Sequence, residues 1–309
     1  MNFFKPKFLD KNKITIFSIL LFPFSIIIKL LVLTKHTITR THQFPIPVIC
    51  VGNIYLGGTG KTPMSLEIFN MLKKLGMQPA FIRKKYDAFA DEVVMQKKIG
   101  PVFQNKKRVD AIELAIQNKA NVVILDDGFQ DTSINKNFSI VCFNERQWIG
   151  NGLTIPSGPL REELSALKRA NCVVINGKRN IEIEKKILNK NGKVKIFYTT
   201  YQAQNAEKFK NKKVTAFAGI GNPVNFFELL KKNGINAIDE IKFPDHYNYS
   251  ESELKKLSHL SKRNGSILLT TEKDYFRIKE NFRQDINFIK IKVVIENEDN
   301  FLNEIKKII

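Results

Sequence analysis

Apolar positions recur along this 309-residue chain at two alternating spacings from about residue 45 onward. Short continuous apolar runs are typical of buried parallel strands, and apolar residues repeated every three or four positions predict helices. The predicted strands are 48–51, 80–82, 122–125, 138–143, 172–175, 214–218, 267–269 and 286–295, with 194–201 an extended segment or connector. The predicted helices are 63–75, 110–119, 181–190, 224–232, 250–263 and the lysine-rich end of the chain. This alternation predicts an α/β fold of two α/β/α sandwich domains with mainly parallel sheets.

The apolar run at residues 14–33 differs from the others because it is long enough to cross a bilayer. Lysines flank it on both sides, and Pro23 and Lys29 interrupt it. The preferred interpretation is a helix lying in the membrane interface, with its lysines among anionic headgroups. A spanning helix comes second and a buried core helix third. A signal peptide is disfavoured because no small-residue cleavage site follows the run.

Composition narrows the class of protein. With 43% hydrophobic and 26% charged residues the chain is ordinary globular protein, which excludes a disordered or collagen-like protein. Lys+Arg 50 against Asp+Glu 30 gives a net charge of +20, which favours a polyanionic partner or reflects lysine-rich composition alone. The three cysteines, Cys50, Cys142 and Cys172, are far apart, and each lies in or beside an apolar run. They predict buried thiols rather than disulfides or a zinc site.

A glycine-rich segment at residues 57–62 separates the first predicted strand from a helix, which is the context of a phosphate-binding loop, or P-loop. Backbone N–H groups turned by glycines, together with the positive end of the helix, bind phosphate oxygens. Lys61 is expected to reach the β- and γ-phosphates of ATP, and the Thr62 hydroxyl to ligate Mg²⁺. The strict G-x-x-x-x-G-K-[ST] pattern has glycine where this chain has Tyr55. The predicted nucleotide-binding residues are Tyr55, Leu56, Gly57, Gly58, Thr59, Gly60, Lys61 and Thr62.

Two acids, Asp126 and Asp127, end the apolar strand at 122–125. A carboxylate at the end of a buried strand can face the Mg²⁺ held by a P-loop. The alternative is an ordinary turn, because Asp-Gly is also a turn signal. Which of the two acids ligates the metal is left open by the sequence.

Six segments, in this order and spacing, go further than a generic P-loop. They are VGNIYLGGTGKTP (51–63), VVILDDGFQ (122–130), IGNGLTIPSGPLRE (149–162), AFAGIGNP (216–223), FPDHYNYS (243–250) and LLTTEKDYFRI (268–278). Together they resemble the tetraacyldisaccharide 4′-kinases, the lipid A 4′-kinases. The resemblance implies transfer of the ATP γ-phosphate to the 4′-hydroxyl of a lipid A disaccharide 1-phosphate, with Mg²⁺. It also implies work at the cytoplasmic face of the bacterial inner membrane and a membrane-associated N-terminal helix.

Carried over motif by motif, the resemblance implies a set of site residues. The implied catalytic residues are Lys61, Asp91, Asp127, Arg161 and His246, and the implied metal ligands are Thr62, Asp126, Asp127 and Glu162. Asp91 is the expected general base, with His246 hydrogen-bonded to it across a cleft, and Arg83 aligns with an arginine of the family. Because residues 83–92 are short and lack the usual glycines, Asp87 is a fallback for Asp91. The family commonly has His after DDGFQ, where this chain has Asp131.

The chain divides by these predictions into three parts. Residues 1–40 form the membrane-associated helix, 41–195 a P-loop NTPase-like kinase domain and 196–309 a smaller α/β domain closing the cleft. We expect a monomer whose partners are the lipid substrate and an anionic membrane surface. Nucleic acid is not an expected partner, because no nucleic-acid-binding motif accompanies the charge. The alternative function is a membrane-associated P-loop ATPase acting as an assembly or partitioning switch.

Overall fold

A computed structural model describes residues 6–10, 12–85 and 90–309. The strands are β1 (Val48–Gly52), β2 (Pro79–Lys84), β3 (Val102–Asn105), β4 (Val122–Asp126), β5 (Phe138–Asn144), β6 (Cys172–Asn176), β7 (Lys195–Ala203), β8 (Lys213–Ala218), β9 (Asn236–Lys242), β10 (Ile267–Thr271), β11 (Ile286–Ile289) and β12 (Ile291–Ile295). The helices are α1 (Ile16–Ile38), α2 (Lys61–Lys74), α3 (Ala90–Lys97), α4 (Arg108–Gln117), α5 (Ile181–Leu188), α6 (Pro223–Lys232), α7 (Glu251–Arg263), α8 (Glu272–Arg277) and α9 (Glu298–Lys306).

The larger sheet has eight strands in the order β12-β7-β6-β5-β1-β4-β2-β3. From β7 to β3 every described pairing is parallel, as the apolar runs predict. Strands β1, β4 and β5 are buried along their whole length because helices cover both faces of a parallel sheet. In this register Val51 lies beside Asp126, so the end of β1 and the end of β4 meet at one edge of the sheet. Ligands bind at that edge in folds of this kind.

The smaller sheet has four parallel strands in the order β11-β10-β8-β9. Its central strand β8 is buried, and it packs with α6 and β10 through side chains such as Phe227, Leu230 and Leu269. Strand β9 lies at an edge, where intermediate and exposed residues alternate. The chain thus contains two parallel α/β sheets, as predicted.

The chain divides into two compact units whose boundary differs from the predicted one. The first, here called the P-loop unit, comprises described residues up to 85, Ile99–Thr200 and Ile295–Ile309. The second unit comprises residues 90–98 and Tyr201–Val294. The chain passes from the P-loop unit to the second unit after Thr200, close to the predicted boundary at 195. Helix α3 belongs to the second unit, whereas a linear division assigns it to the P-loop unit. The C-terminal segment Ile295–Ile309 belongs to the P-loop unit, whereas a linear division assigns it to the second unit.

The predicted single strand at 286–295 is wrong, because it is interrupted at Lys290. The N–H of Lys290 donates to Asn205 Oδ1 at 2.9 Å, and its carbonyl accepts from the N–H of Gln204 at 2.8 Å. These bonds take Lys290 out of the strand ladder. As a result β11 pairs in the smaller sheet and β12 is the edge strand of the larger one.

Helix α1 is apolar but mostly exposed. Its 18-residue window of highest hydropathy has a mean hydropathy of 2.6 and is 11% buried, and it is the one helix among the described residues long and apolar enough to cross a membrane. Ser18 and Ser25, seven residues apart and therefore on one face, are its buried residues. The interpretation as a buried core helix is therefore wrong.

Candidate active site

The phosphate loop takes a shape that needs its glycines. Gly57 has φ 136° and Gly60, the N-cap of α2, has φ 89°, and glycine adopts such positive angles at little cost. Lys61 and Thr62 follow as the first two residues of α2. The end of the loop therefore joins the positive end of the helix, which is a general anion-binding arrangement.

Asn53, which the sequence analysis did not single out, holds the loop from inside. Its side-chain nitrogen donates to the carbonyl of Gly57 at 3.3 Å and to Thr59 Oγ1 at 2.9 Å. The main-chain carbonyl of Asn53 accepts from Gln130 Nε2 at 2.8 Å. The Asn53 side chain is fully buried. Asn53 could have been identified from the sequence, because it is a polar residue directly after the apolar strand β1.

Tyr55 and Leu56, predicted to bind nucleotide, are engaged in a different contact. The N–H of Leu56 donates to the carbonyl of Pro159 at 2.7 Å, and Tyr55 forms an isolated bridge with Leu160. The N–H of Arg161 donates back to the carbonyl of Ile54 at 2.7 Å. The Leu56 amide is therefore committed to this contact. Tyr55 stands where the strict P-loop pattern has its first glycine, and it forms this contact instead of a glycine turn.

Asp126 lies at the end of β4 beside the P-loop threonine. Its Oδ2 accepts from Arg83 Nη1 at 2.7 Å and from Thr62 Oγ1 at 3.4 Å. The side chains of Asp126 and Arg83 are 1% and 8% exposed. A buried carboxylate of this kind needs a cation close by, and Arg83 supplies one.

The carboxylate of Asp127, the next residue, faces two cations. Arg161 Nη1 donates to both carboxylate oxygens at 2.9 and 3.0 Å, and Lys61 Nζ is 3.6 Å from Oδ1. Burial raises the pKa of Asp127, but the charges of Lys61 and Arg161 outweigh it, so the pKa lies below its ordinary value. Asp127 is therefore an anion at neutral pH, and it holds Lys61 and Arg161 together.

The predicted metal ligands fit Mg²⁺ in part. Thr62 and Asp126 offer a hydroxyl and a carboxylate oxygen side by side, and Mg²⁺ takes one or two protein oxygens together with phosphate and water oxygens. Glu162, by contrast, accepts from Arg169 at 2.5 Å. Within the described residues there is no group of three or more His, Cys, Asp or Glu that could hold a metal on its own. The pair Thr62 and Asp126 is therefore the part of the predicted set that the geometry favours.

In the second unit, Asp91 lies near the start of α3 and is bound by an arginine. Arg277 Nε and Nη2 donate to Asp91 Oδ2 at 3.2 and 2.6 Å. Arg277 Nη1 also donates to Asp274 Oδ1 and to the carbonyl of Gly219, both at 2.9 Å. The side chains of Asp91, Asp274 and Arg277 are 1%, 0% and 8% exposed. Asp274 is thus fully buried.

His246 has a lysine neighbour. Its Nε2 lies 3.3 Å from Lys273 Nζ, and Lys273 forms an ion pair with Glu92 at 2.7 Å. Burial lowers the pKa of Lys273, but Glu92 and other acids outweigh it, so the pKa is raised and the amine stays charged. An ammonium can only donate, so His246 Nε2 accepts, and the ring is neutral with its proton on Nδ1. Burial, and then the Lys273 charge, lower the pKa of His246.

The predicted hydrogen bond between Asp91 and His246 is not among the described contacts. Asp91 is bound by Arg277, and His246 contacts Lys273. Both cations come from the segment TEKDYFR, which the family resemblance includes without a role for either residue. The fallback base, Asp87, lies outside the described residues.

The predicted site residues thus divide between the two units. One group lies in the P-loop unit and contains Lys61, Thr62, Asp126, Asp127, Arg161 and Glu162. The other lies in the second unit and contains Asp91 and His246. Lys61, Asp127 and Arg161 are in direct contact, as are Thr62 and Asp126.

Comparison with known proteins identifies the family. The family model described as Tetraacyldisaccharide-1-P 4'-kinase matches residues 17–309. Tetraacyldisaccharide 4'-kinase of Pelagibacter ubique (strain HTCC1062) is 39% identical over 307 residues, covering 98% of each chain. Its namesake from Rickettsia bellii (strain OSU 85-389) is 34% identical over 327 residues, again 98% of each chain.

A solved structure supports the fold. The crystal structure of the "apo" form of LpxK from Aquifex aeolicus in complex with ATP matches with a TM-score of 0.72 at 24% identity. The match covers 94% of this chain and 99% of that chain, which confirms the predicted fold class. Together with the family match over residues 17–309, these relatives confirm the resemblance: the chain belongs to the tetraacyldisaccharide 4'-kinase family.

Proposed function

We propose that this protein transfers the γ-phosphoryl group of ATP to the 4′-hydroxyl of a tetraacyl disaccharide 1-phosphate, a step in lipid A biosynthesis. The observation that carries the proposal is the contact of Lys61 with Asp127 at the end of β4, in a chain that matches the kinase family over residues 17–309. A P-loop lysine next to a strand-end acid is an arrangement for phosphoryl transfer. The alternative of an assembly switch has no observation of its own in its favour.

The P-loop unit binds and polarises the nucleotide. The N–H groups from Gly57 onward hold the phosphates, and Lys61 moves from Asp127 onto the β- and γ-phosphates when ATP binds. Arg161 stays with Asp127, so this carboxylate keeps one cation. Thr62 and Asp126 would hold Mg²⁺, which would supply positive charge to the phosphate oxygens.

The proposed proton acceptor is Asp91. Asp91 takes the proton of the attacking sugar hydroxyl, because a positioned carboxylate within hydrogen-bond reach assists this step. Both described hydrogen bonds from Arg277 reach Oδ2, so Oδ1 is the oxygen that accepts the proton. His246, whose Nε2 contacts Lys273, is a further proposed catalytic residue. Arg277 and Lys273 are positioning residues, because each acts through its neighbour.

The protein works at the cytoplasmic face of the inner membrane, where both ATP and the lipid acceptor are accessible. Ser25 Oγ donates to the carbonyl of Thr154 at 3.0 Å and lies 2.8 Å from Ser157 Oγ, and Lys29 pairs with Glu163. Helix α1 is therefore held from Ser18 to Lys29, about 16 Å of its length, against residues 151–163 of the same unit. These contacts favour a helix that lies in the membrane interface over one that spans about 30 Å of hydrocarbon.

The proposal is tested with Mg-ATP and a tetraacyl disaccharide 1-phosphate presented in mixed micelles. The expected product carries phosphate at both the 1- and 4′-positions and is identified by mass spectrometry. A matched incubation with an acceptor whose 4′-hydroxyl is replaced by hydrogen should give no such product. ATP turnover that does not respond to the acceptor would support the switch instead.

A further inference from the structure

Arg108, the first residue of α4, reaches with its guanidinium into the turn that follows β4. Its Nη2 donates to the main-chain carbonyl of Asp127 at 2.8 Å, and its Nη1 donates to Asp131 Oδ2 at 3.0 Å. The Arg108 side chain is 9% exposed. One buried guanidinium thus fixes two points of the DDGFQD turn, four residues apart.

Asp131 is itself held in place as an anion. Its Oδ1 accepts from the N–H of Ser133 at 3.1 Å and from Ser133 Oγ at 2.5 Å. Burial raises the pKa of Asp131, but the Ser133 hydrogen bonds and the Arg108 charge outweigh it and lower the pKa. Lys136 Nζ adds hydrogen bonds to the carbonyls of Phe129 and Asp131 at 3.1 and 2.5 Å. The far end of the turn is therefore a firm support for Arg108.

The near end of the turn carries an unfavourable backbone angle. Asp127 has φ 57°, in the left-handed region, which is unfavourable for a residue other than glycine and persists only if its surroundings hold it. Its N–H donates to the carbonyl of Val51 at 2.9 Å, and its carbonyl is held by Arg108. With both sides of the residue fixed, the carboxylate points at Lys61 and Arg161.

We propose that Arg108, supported by Asp131, is a positioning residue for phosphoryl transfer, which holds Asp127 in its left-handed conformation so that the carboxylate faces Lys61. The inference rests on the proposed function and adds to it a residue with no assigned role. An arginine is needed, because the single nitrogen of a lysine cannot occupy the positions of both Nη1 and Nη2 of the planar guanidinium. A displacement of about 1 Å in such a group can lower a rate by about a hundredfold.

The first test compares Arg108→Lys with Arg179→Lys, a matched change in the exposed ion pair with Glu184 in the same unit. For Arg108→Lys we expect kcat to fall by about tenfold or more. The Kd for Mg-ADP should stay within about threefold, because the loop from Gly57 onward is untouched. Arg179→Lys should change neither value. Equal kcat values for the two variants would overturn the proposal.

The second test asks whether Arg108 acts through Asp127. Because both residues serve one carboxylate, Arg108→Lys should lower kcat by less than about twofold in an Asp127→Asn background. A loss by the same factor in both backgrounds would mean that Arg108 only supports the fold, which would refute the positioning role.

A third measurement does not depend on catalysis. Hydrogen exchange at the Asp127 amide, which donates to Val51, should be about tenfold faster in Arg108→Lys than in Arg179→Lys. Should the wild type fail to phosphorylate the lipid, the proposed function fails, and this exchange rate still decides whether Arg108 holds Asp127. An unchanged rate would contradict the positioning role.

Discussion

Arg277 binds Asp91 through two hydrogen bonds to the same carboxylate oxygen, although the two residues are 186 positions apart in sequence. The same guanidinium binds Asp274, so it balances two buried carboxylates at once. Arg277 thereby joins α3 to α8 and fixes the orientation of the proposed general base.

Replacing Arg277 with Met should destabilise the protein by about 3–5 kcal/mol, because two buried carboxylates lose their cation. Urea unfolding at pH 7 measures the loss. Arg263→Met, at an exposed position on α7, is the matched control and should stay within about 0.5 kcal/mol of wild type. A similar loss in both variants would show that the Arg277 ion pairs contribute little.

Lys61→Ala should lower kcat by at least about a hundredfold, because the transferred phosphoryl group loses a positioned cation. The fold should survive, since Arg161 still pairs with Asp127. Initial rates with saturating Mg-ATP, together with thermal unfolding, provide the measurement. Lys73→Ala, an exposed change in the last turn of the same helix, should keep normal rates. Near-normal turnover in Lys61→Ala would rule out nucleotide binding by this loop.

The stability of the protein should depend on His246 at mildly acidic pH. Because the folded-state pKa of His246 lies below its ordinary 6.5, the unfolded chain binds more protons between these two values. Stability should therefore fall as the pH drops below about 6.5, by up to about 1.4 kcal/mol per pH unit from this residue. The charged groups that set its pKa are Lys273, Asp245, Glu92 and Arg277.

This contribution can be isolated by subtraction. The free energy of unfolding of wild type minus that of His246→Gln should decrease between about pH 7 and pH 5. The same difference taken with His259→Gln, at an exposed position on α7, is the control. A difference for His246 that is independent of pH would show that the ring titrates alike in the folded and unfolded chains.

Charges placed on the exposed face of α1 should abolish membrane binding. Leu20 and Leu31 are 65% and 64% exposed, so changing both to Asp should leave thermal unfolding unchanged. Flotation with anionic vesicles should be lost, because burying a carboxylate among acyl chains is costly. Leu188→Asp, at an exposed apolar position on α5, is the control and should float normally. Normal flotation of the double variant would place the membrane contact elsewhere.

The sequence predicted the P-loop well because local patterns determine it. An apolar strand, a glycine turn and an amphipathic helix each depend on neighbouring residues, and β1 and α2 lie close to their predicted positions. The short edge strands β3 and β9 were missed, since half-exposed strands lack the continuous apolar runs of buried ones. The break at Lys290 was also missed, because it depends on hydrogen bonds to Gln204 and Asn205, distant in sequence.

Site residues could be predicted where they belong to a recognised motif. Their contacts could not be predicted where the contacting residue lies in a different segment of the chain. Lys61, Asp127 and Arg161 were expected in the site and are in contact. The contacts of Asp91 with Arg277 and of His246 with Lys273 were not predicted, because Arg277 and Lys273 lie in another segment that spacing alone does not place. Arg108 was missed for the same reason, since its role depends on contacts with Asp127 and Asp131 in a turn that follows a different strand.

The return of the chain at Ile295–Ile309 to the P-loop unit has a consequence for biosynthesis. Phe301 and Ile305 of α9 are fully buried, and the Phe301 ring stacks edge-on against Phe197 at 5.2 Å. While the ribosome makes Tyr201–Val294, this apolar surface has no cover, although the nucleotide motifs have already emerged. Such exposed surface is prone to aggregation, and contacts so distant in sequence form slowly. The nascent P-loop unit should therefore depend on chaperones until α9 has been made.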